Sequence, residues 1–277
     1  QPLIAGAEMI QGLQPRENGF AENLKAFRSV FSRHTFASGE ASEQLIPFTQ
    51  RVISDANTSN EVKQETVTFT SQTLEAQIAK TPYDARIRLF YGYLLEGINQ
   101  KEAAERYLKE ALALSPRKQL ILFQLGSLYL ESGRNDEALA IQKQAFDLDQ
   151  EFPEARKIYA LTALLTNHRD IVQSLLVPAY GSMAVPDSRF AVFYTQEGNF
   201  PLAIQSLEAI EKDPEIILDD RDRLLLSSLY VRVGRRDDAI AQIEFLKKQN
   251  PSLIPNADVL IAEIRAGRDP YRVQISQ

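Results

Sequence analysis

ARIRLFYGYLLEGINQKEAAERYLKEALALSPRK, residues 85–118, is the stretch of sequence that decides the fold. Its pattern of small residues recurs 34 positions further on, in residues 119–152. The recurring pairs are Gly92 and Gly126, Ala104 and Ala138, and Ala111 and Ala145. A period of this length is typical of two-helix units that stack side by side, because a single unit leaves an apolar face exposed.

Aligned on the small residue of each second helix, the pattern predicts five units whose starts are 34, 34, 31 and 36 residues apart. The units begin near Ala85, Gln119, Pro153, Ala184 and Asp220. Each predicted turn between paired helices carries Gly or Asn, the residues that best tolerate a left-handed backbone. These are Asn99, Gly133, Asn167, Gly198 and Gly234. The third unit is degenerate, since Pro178 is predicted to end its second helix early and a loop, 178–186, follows.

The small residues also predict where helices touch. Two antiparallel helices packed roughly 8–10 Å apart need a position with almost no side chain. Gly92 and Ala104 are predicted to form that contact within the first unit, and Ala111 is predicted to meet the first helix of the next unit.

These positions resemble the consensus of the tetratricopeptide repeat family. The first unit matches it at Gly92, Leu95, Ala104, Leu108, Ala111 and Pro116. The resemblance covers roughly residues 82–251. It implies an all-α fold, a right-handed α-α superhelix in which the first helix of each pair lines a concave groove. The groove is expected to bind a protein or peptide partner, so the chain would act as a scaffold.

Apolar stripes at helical spacing extend the helical prediction toward both ends of the chain. Residues 1–80 are predicted to form an N-terminal helical region, with a break at Ser38-Gly39. Residues 81–252 hold the five helix pairs, and 253–277 a capping helix and tail.

Composition argues against several classes of function. The 277 residues carry a formal net charge of −6, which argues against binding of nucleic acid or an anionic membrane. There is no Cys, the two His are His34 and His168, and no phosphate-binding or nucleophile motif is present. We therefore predict a non-catalytic chain without metal-ligating or cofactor-binding residues. No apolar run approaches the roughly 20 residues that span a bilayer.

The positions that the resemblance places in the groove supply the candidate partner-binding residues. They are Arg86, Leu89, Phe90, Tyr93, Phe123, Gln124, Lys157, Arg189 and Arg221, with Glu96 and Ser127 at further groove positions. Chaperone-binding members of the family clamp a carboxylate with paired Lys, Asn and Arg residues, and that set does not occur at these positions. The aromatic and aliphatic candidates of the first two units predict an apolar patch instead. Either this patch is exposed and binds a protein partner, or the N-terminal helices fold back and cover it as core.

The order of segments along the whole chain resembles a second group, the C-terminal soluble tails of bacterial O-antigen ligases and polymerases that carry tetratricopeptide repeats. An apolar N-terminal edge, ENLKAFRSVFSRHTF (22–36), the repeats and RAGRDPYR (265–272) follow one another. The resemblance implies an accessory tail of a membrane-embedded envelope-glycan enzyme whose chemistry lies outside these residues. Because the sequence starts at Gln1 rather than Met, we expect a processed product or an excised fragment. The chain would then be a membrane-tethered domain of an envelope protein, with the side of the membrane left open.

Overall fold

The computed structural model describes residues 7, 9–10, 12–14, 19–33, 37–250 and 254–271; His34 and the two chain ends lie outside them. Every regular element within these residues is an α-helix, which confirms the predicted all-α class. The helices of the described residues are α1 (Phe20–Ser32), α2 (Ala37–Ser54), α3 (Asn60–Lys80), α4 (Ala85–Gly97), α5 (Lys101–Leu114), α6 (Gln119–Glu131), α7 (Asn135–Leu148), α8 (Pro153–Leu165), α9 (Arg169–Tyr180), α10 (Ser188–Gln196), α11 (Phe200–Lys212), α12 (Asp220–Arg232), α13 (Arg236–Gln249) and α14 (Ile254–Arg265). None of these helices has the length and apolar character that crossing a membrane requires.

A left-handed residue ends the first helix of all five predicted units. The angle φ is +60° at Asn99 and +63° at Asn167. It is +71° at Gly133, +74° at Gly198 and +82° at Gly234. In each turn the N–H of the following residue donates to the carbonyl five positions back, over 2.7 or 2.8 Å. This bond satisfies a carbonyl that the helix end would otherwise leave unpaired, so the five predicted turns are confirmed.

Glycines bring the paired helices of the first two units into close contact. A Cβ added at Gly92 would lie 2.7 Å from Cγ of Leu108 and 3.3 Å from the carbonyl oxygen of Ala104. A Cβ added at Gly126 would lie 1.9 Å from the side-chain nitrogen of Gln142. The predicted approach of α5 to α4 at Gly92 is therefore confirmed, and α7 approaches α6 in the same way.

The N-terminal helices extend the stack of helix pairs in the compact unit Gln1–Tyr159. Helices α2 and α3 pack against each other, and both contact α4, as α4 and α5 both contact α6. Ile46 of α2 and Leu74 of α3 belong to the same buried cluster as Leu89 of α4. Because α2 and α3 contact α4 as a preceding pair would, they bury apolar surface that the first repeat alone would expose.

The second compact unit, Ala160–Gln277, contains its own helix pairs. Helix α10 packs on α11, α12 packs on α13, and α14 packs on α13. The segment after α14 returns to α12, where the hydroxyl of Tyr271 lies 2.9 Å from that of Ser227. The predicted division of the chain at residues 80 and 252 stays a prediction.

Two predicted helix boundaries are wrong. Ser38-Gly39, predicted as a break, lies in the first turn of α2, which begins at Ala37. Pro178 lies inside α9, which continues to Tyr180. Pro178 removes one backbone N–H donor, and the helix continues for only two residues beyond it. The helix stops at Gly181 instead, where φ is +68° and the N–H donates to the carbonyl of Val177 over 2.9 Å.

Candidate partner-binding surface

Helices α4 and α6 each present one face that carries candidate groove residues. Tyr93 and Glu96 share a face of α4, and Leu120, Phe123 and Gln124 share a face of α6, because residues three or four positions apart are neighbours on a helix. The two faces adjoin, since the amide nitrogen of Gln124 donates a hydrogen bond to Oε2 of Glu96. We call these five residues the docking face.

Large apolar side chains of the docking face are open to solvent. Tyr93 is 46% exposed and Leu120 is 49% exposed, while Phe123 is partly buried. The backbone below Phe123 is fixed, because its carbonyl accepts a hydrogen bond from the buried side chain of Gln142 over 3.1 Å. The docking face therefore stands on packed helices rather than on loops.

The predicted apolar patch is divided between core and surface. Leu89 is 5% exposed and lies in the buried cluster to which α2 and α3 contribute, and Phe90 packs against that cluster. Leu89 therefore has no surface to offer a partner, and we leave it out of the docking face. Arg86 pairs with Glu43 of α2, so the N-terminal helices also engage the start of α4. Tyr93 remains 46% exposed, so one part of the patch is core and another part is open to solvent.

The remaining candidates carry positive charge and lie next to acidic residues or at the surface. Lys157 lies 3.9 Å from the carboxylate of Glu154, within the first compact unit. In the second unit, Arg189 donates to both oxygens of Asp187 over 2.9 and 2.6 Å, and Arg221 is exposed. These three residues are not members of the docking face.

One member of the docking face, Leu120, was absent from the candidate set. The signal for it was in the repeat: Leu120 follows Arg86 by 34 residues and so occupies the same position of the second unit. The first unit has a charged residue there and the second an apolar one. Aligning the two units position by position would have found it.

Glu96 is the electrostatically unusual member of the docking face. Burial is the main cause that raises the pKa of its carboxyl group, the hydrogen bond from Gln124 lowers that pKa, nearby Glu131 raises it and nearby Lys101 lowers it. Within the described part of the chain, Oε1 of Glu96 is buried and has no hydrogen-bond partner. The nearby Lys101 lies 3.9 Å from the carboxylate of Glu131 and donates to its carbonyl oxygen over 2.8 Å. The carboxylate of Glu96 thus retains acceptor capacity that a bound group could use.

Other shifted groups are explained by contacts between packed helices. A hydrogen bond from Arg134 is the main cause that lowers the pKa of Glu105 to about 2, and the two side chains lie 2.7 Å apart. Burial is the main cause that raises the pKa of Tyr91 to about 12, and its hydroxyl lies 3.0 Å from Glu75. Among the residues with described positions, no group of three or more His, Asp or Glu side chains is arranged to hold a metal ion.

Comparisons with known proteins identify the repeat type. Residues 99–165 match the family model described as tetratricopeptide repeat, and no curated protein matches the sequence. A solved tetratricopeptide repeat protein from Parabacteroides merdae is similar over 94% of this chain and 99% of its own, with 12% identity and a TM-score of 0.54. A thermophilic repeat protein of Thermus thermophilus is similar over 66% of this chain and 100% of its own, with 19% identity and a TM-score of 0.43. The pilF protein of Pseudomonas aeruginosa is similar over 96% of this chain and 99% of its own, with 16% identity and a TM-score of 0.46.

Residues 99–165 therefore match the tetratricopeptide repeat, and the chain has the fold of the Parabacteroides merdae protein. Identities this low support the fold and nothing more specific. Proteins with these repeats generally mediate protein–protein interactions. None of the matches supports the similarity to the tails of O-antigen ligases and polymerases.

Proposed function

We propose that this chain is a non-catalytic docking module that binds a segment of a partner protein on the docking face. The observation that carries the proposal is the exposure of Tyr93 and Leu120, each close to half open to solvent on adjoining helices of consecutive units. Single exposed apolar side chains are ordinary on protein surfaces. Neighbouring ones on a rigid support are typical of interaction sites, where aromatic residues contribute most of the binding energy.

The chemistry of the docking face favours a protein segment over a nucleic acid. The face holds one carboxylate, Glu96, and no basic side chain, and Glu131 adds a second carboxylate nearby. Phosphate groups would meet like charge there, whereas nucleic-acid surfaces rely on Lys and Arg. A peptide can use both the apolar contacts and the hydrogen-bonding groups of Glu96 and Gln124.

The support is also preformed, which favours binding. Helices α4 and α6 are held by their second helices α5 and α7, and α2 and α3 hold α4 from the other side. A partner segment therefore orders few groups of this chain when it binds, and less of the interaction energy is lost to that ordering.

The shifted pKa values support a non-catalytic interpretation. Glu105 and Tyr91 owe their pKa shifts to an inter-helix ion pair and to burial beside α3, and neither side chain belongs to the docking face, where burial raises the pKa of Glu96. A catalytic site would instead gather shifted groups around a substrate position. We make no proposal about a membrane-embedded parent, because no observation favours one.

Site-specific crosslinking tests the proposal. A photo-crosslinking amino acid is placed at Tyr93 and, as the matched control, at Tyr83, an aromatic residue that is 87% exposed in the turn before α4. In source lysate we expect a discrete protein adduct from position 93 that position 83 does not give. Phe123→Ala should reduce the yield of that adduct at least about tenfold, the effect expected of a central interface contact.

The same adducts from both positions, or an adduct from position 93 that Phe123→Ala leaves unchanged, would contradict the proposal. Thermal unfolding of Phe123→Ala, followed by circular dichroism, verifies that the variant is folded at the temperature of the assay.

A further inference from the structure

We infer that the partner segment presents a lysine or arginine side chain to Glu96, next to an apolar side chain that packs on Tyr93 and Leu120. The inference rests on the proposed function and specifies the chemistry of the partner.

The Glu96 carboxylate is poorly compensated in the free protein. Gln124 supplies one neutral hydrogen bond to Oε2, and Oε1 is buried without a hydrogen-bond partner among the described residues. A carboxylate with that little compensation costs folding free energy, because desolvation is offset by hydrogen bonds or by an opposite charge. A cationic donor from a partner would offset this desolvation cost. The offset would favour binding of that donor.

The cations near Glu96 already pair with other carboxylates. Arg86, on the same face of α4, pairs with Glu43. Lys101 is held at Glu131 by its carbonyl oxygen and its carboxylate. Lys101 lowers the pKa of Glu96 through space, yet among the described ion pairs Arg86 is held by Glu43 and Lys101 by Glu131, and none includes Glu96, so complementarity favours a positive partner.

The geometry of the Glu96 side chain allows the contact. Oε1 is buried, so the carboxylate must turn to meet an arriving donor, and the last torsion of a glutamate is broad enough for this without a shift of α4. Tyr93 lies one turn before Glu96 on the same face. An aromatic ring beside a carboxylate suits the long methylene stem of Lys or Arg, whose charged end reaches the acid while the stem packs on the ring.

An acidic partner segment fits less well. The amide donor of Gln124 is already directed at Glu96. A carboxylate placed on the docking face would meet Glu96 and Glu131, and like charges brought together at an interface weaken binding.

Selection of peptides against the full chain tests the inference. A phage-displayed library of random twelve-residue peptides is panned on the wild type, and the affinities of the selected peptides are measured by fluorescence anisotropy. We expect peptides with a Lys or Arg next to an apolar residue. Glu96→Gln should weaken them at least about tenfold, as the loss of a close charge pair does. Glu151→Gln, which removes an exposed carboxylate in the turn after α7, is the matched control and should leave affinity unchanged.

A double-mutant cycle gives the sharper result. Replacing the selected cation of the peptide by methionine should weaken binding to the wild type about as much as Glu96→Gln does, and should cost nothing more in the Glu96→Gln background. Additive losses, or selected peptides without a cation, overturn the inference; if such peptides still depend on Tyr93, the proposed function stands. If no peptide is selected whose binding Tyr93→Ala weakens, the inference and the proposed function both fall.

Discussion

Replacing Gly92 by alanine should destabilise this protein, although alanine is the better helix former. The added Cβ would lie 2.7 and 2.9 Å from Cγ and Cδ2 of Leu108 and 3.3 Å from the carbonyl oxygen of Ala104. Leu108 is fully buried, so it has no open space to move into. Helix α4 must therefore move away from α5, or Leu108 must leave its preferred rotamer.

The magnitude follows from two opposing effects. Alanine gains up to about 1 kcal/mol over glycine inside a helix. Overpacking a core costs about 1–3 kcal/mol, and contacts with two carbons and a backbone oxygen place Gly92 in the upper half of that range. The free energy of unfolding should fall by about 1–2 kcal/mol, which lowers Tm by about 2–8 °C in a chain of this size.

Gly97 provides the matched control within the same helix. It is the last residue of α4, and nothing lies within 4 Å of the Cβ that alanine would add there. Gly97→Ala should leave Tm unchanged or raise it, since the gain in helix propensity is not opposed by a clash. Thermal unfolding followed by the helical circular dichroism signal compares the two variants.

A Gly92→Ala variant that melts at or above the temperature of Gly97→Ala would refute the close approach of α4 and α5. A double-mutant cycle with Leu108→Ala tests whether the clash with Leu108 causes the destabilisation. In that background the contacts with Leu108 are gone and only the 3.3 Å contact with the carbonyl oxygen of Ala104 remains, so Gly92→Ala should destabilise much less.

Two further predictions concern an ion pair and a C-terminal contact. The lowered pKa of Glu105, about 2, means that its ion pair with Arg134 stabilises the fold above about pH 4.5 and that this contribution is lost as the pH falls toward 2. Glu105→Gln should therefore flatten the acid side of a plot of Tm against pH, and an unchanged acid side would exclude the pair as its source. Tyr271→Phe removes the hydroxyl that lies 2.9 Å from Ser227 and should lower the free energy of unfolding by about 0.5–1.5 kcal/mol in urea titration. Tyr83→Phe, at a side chain 87% exposed, should have no effect, and equal results for the two variants would contradict the contact.

The turns could be predicted from the sequence because their cause is local. A backbone with positive φ disfavours residues with a Cβ, and Gly and Asn carry the smallest penalty. Asn99 and Asn167 show that the position, rather than glycine itself, defines the turn. The 34-residue period adds a second constraint, since each turn must recur in phase with the small residues of the following helix.

The two wrong helix boundaries failed for a different reason. Ser38-Gly39 and Pro178 are local signals for a break, and each lies within a turn of a helix end. Near an end few intrahelical bonds depend on one residue, so packing elsewhere along the helix outweighs the local preference. The sequence carries the preference but not the packing that overrides it.

The docking face could be predicted only in part. Residue spacing shows which side chains share a face of a helix, but it does not show which part of that face other helices bury. Tyr93 and Leu89 lie four residues apart on α4, and spacing alone treats them alike. Leu89 shares its buried cluster with Ile46 and Leu74, which lie more than ten residues away along the chain. The N-terminal helices therefore contribute to the core in which Leu89 lies, and the repeat pattern does not include them.

Glu96 stands out against acidic residues that the repeats pair with a cation. Arg134 lies over the ring of Tyr129 at 4.2 Å and pairs with Glu105, and Arg235 lies over Tyr230 at the same distance and pairs with Glu208. The same arrangement therefore occurs twice. In each case an arginine neutralises a partly buried glutamate between packed helices. Glu96 is also partly buried between helices, yet a neutral amide is its described hydrogen-bond donor. Glu96 lacks the arginine partner that Glu105 and Glu208 have. Function rather than stability is the expected reason for such a departure, so a test of partner binding should begin at Glu96.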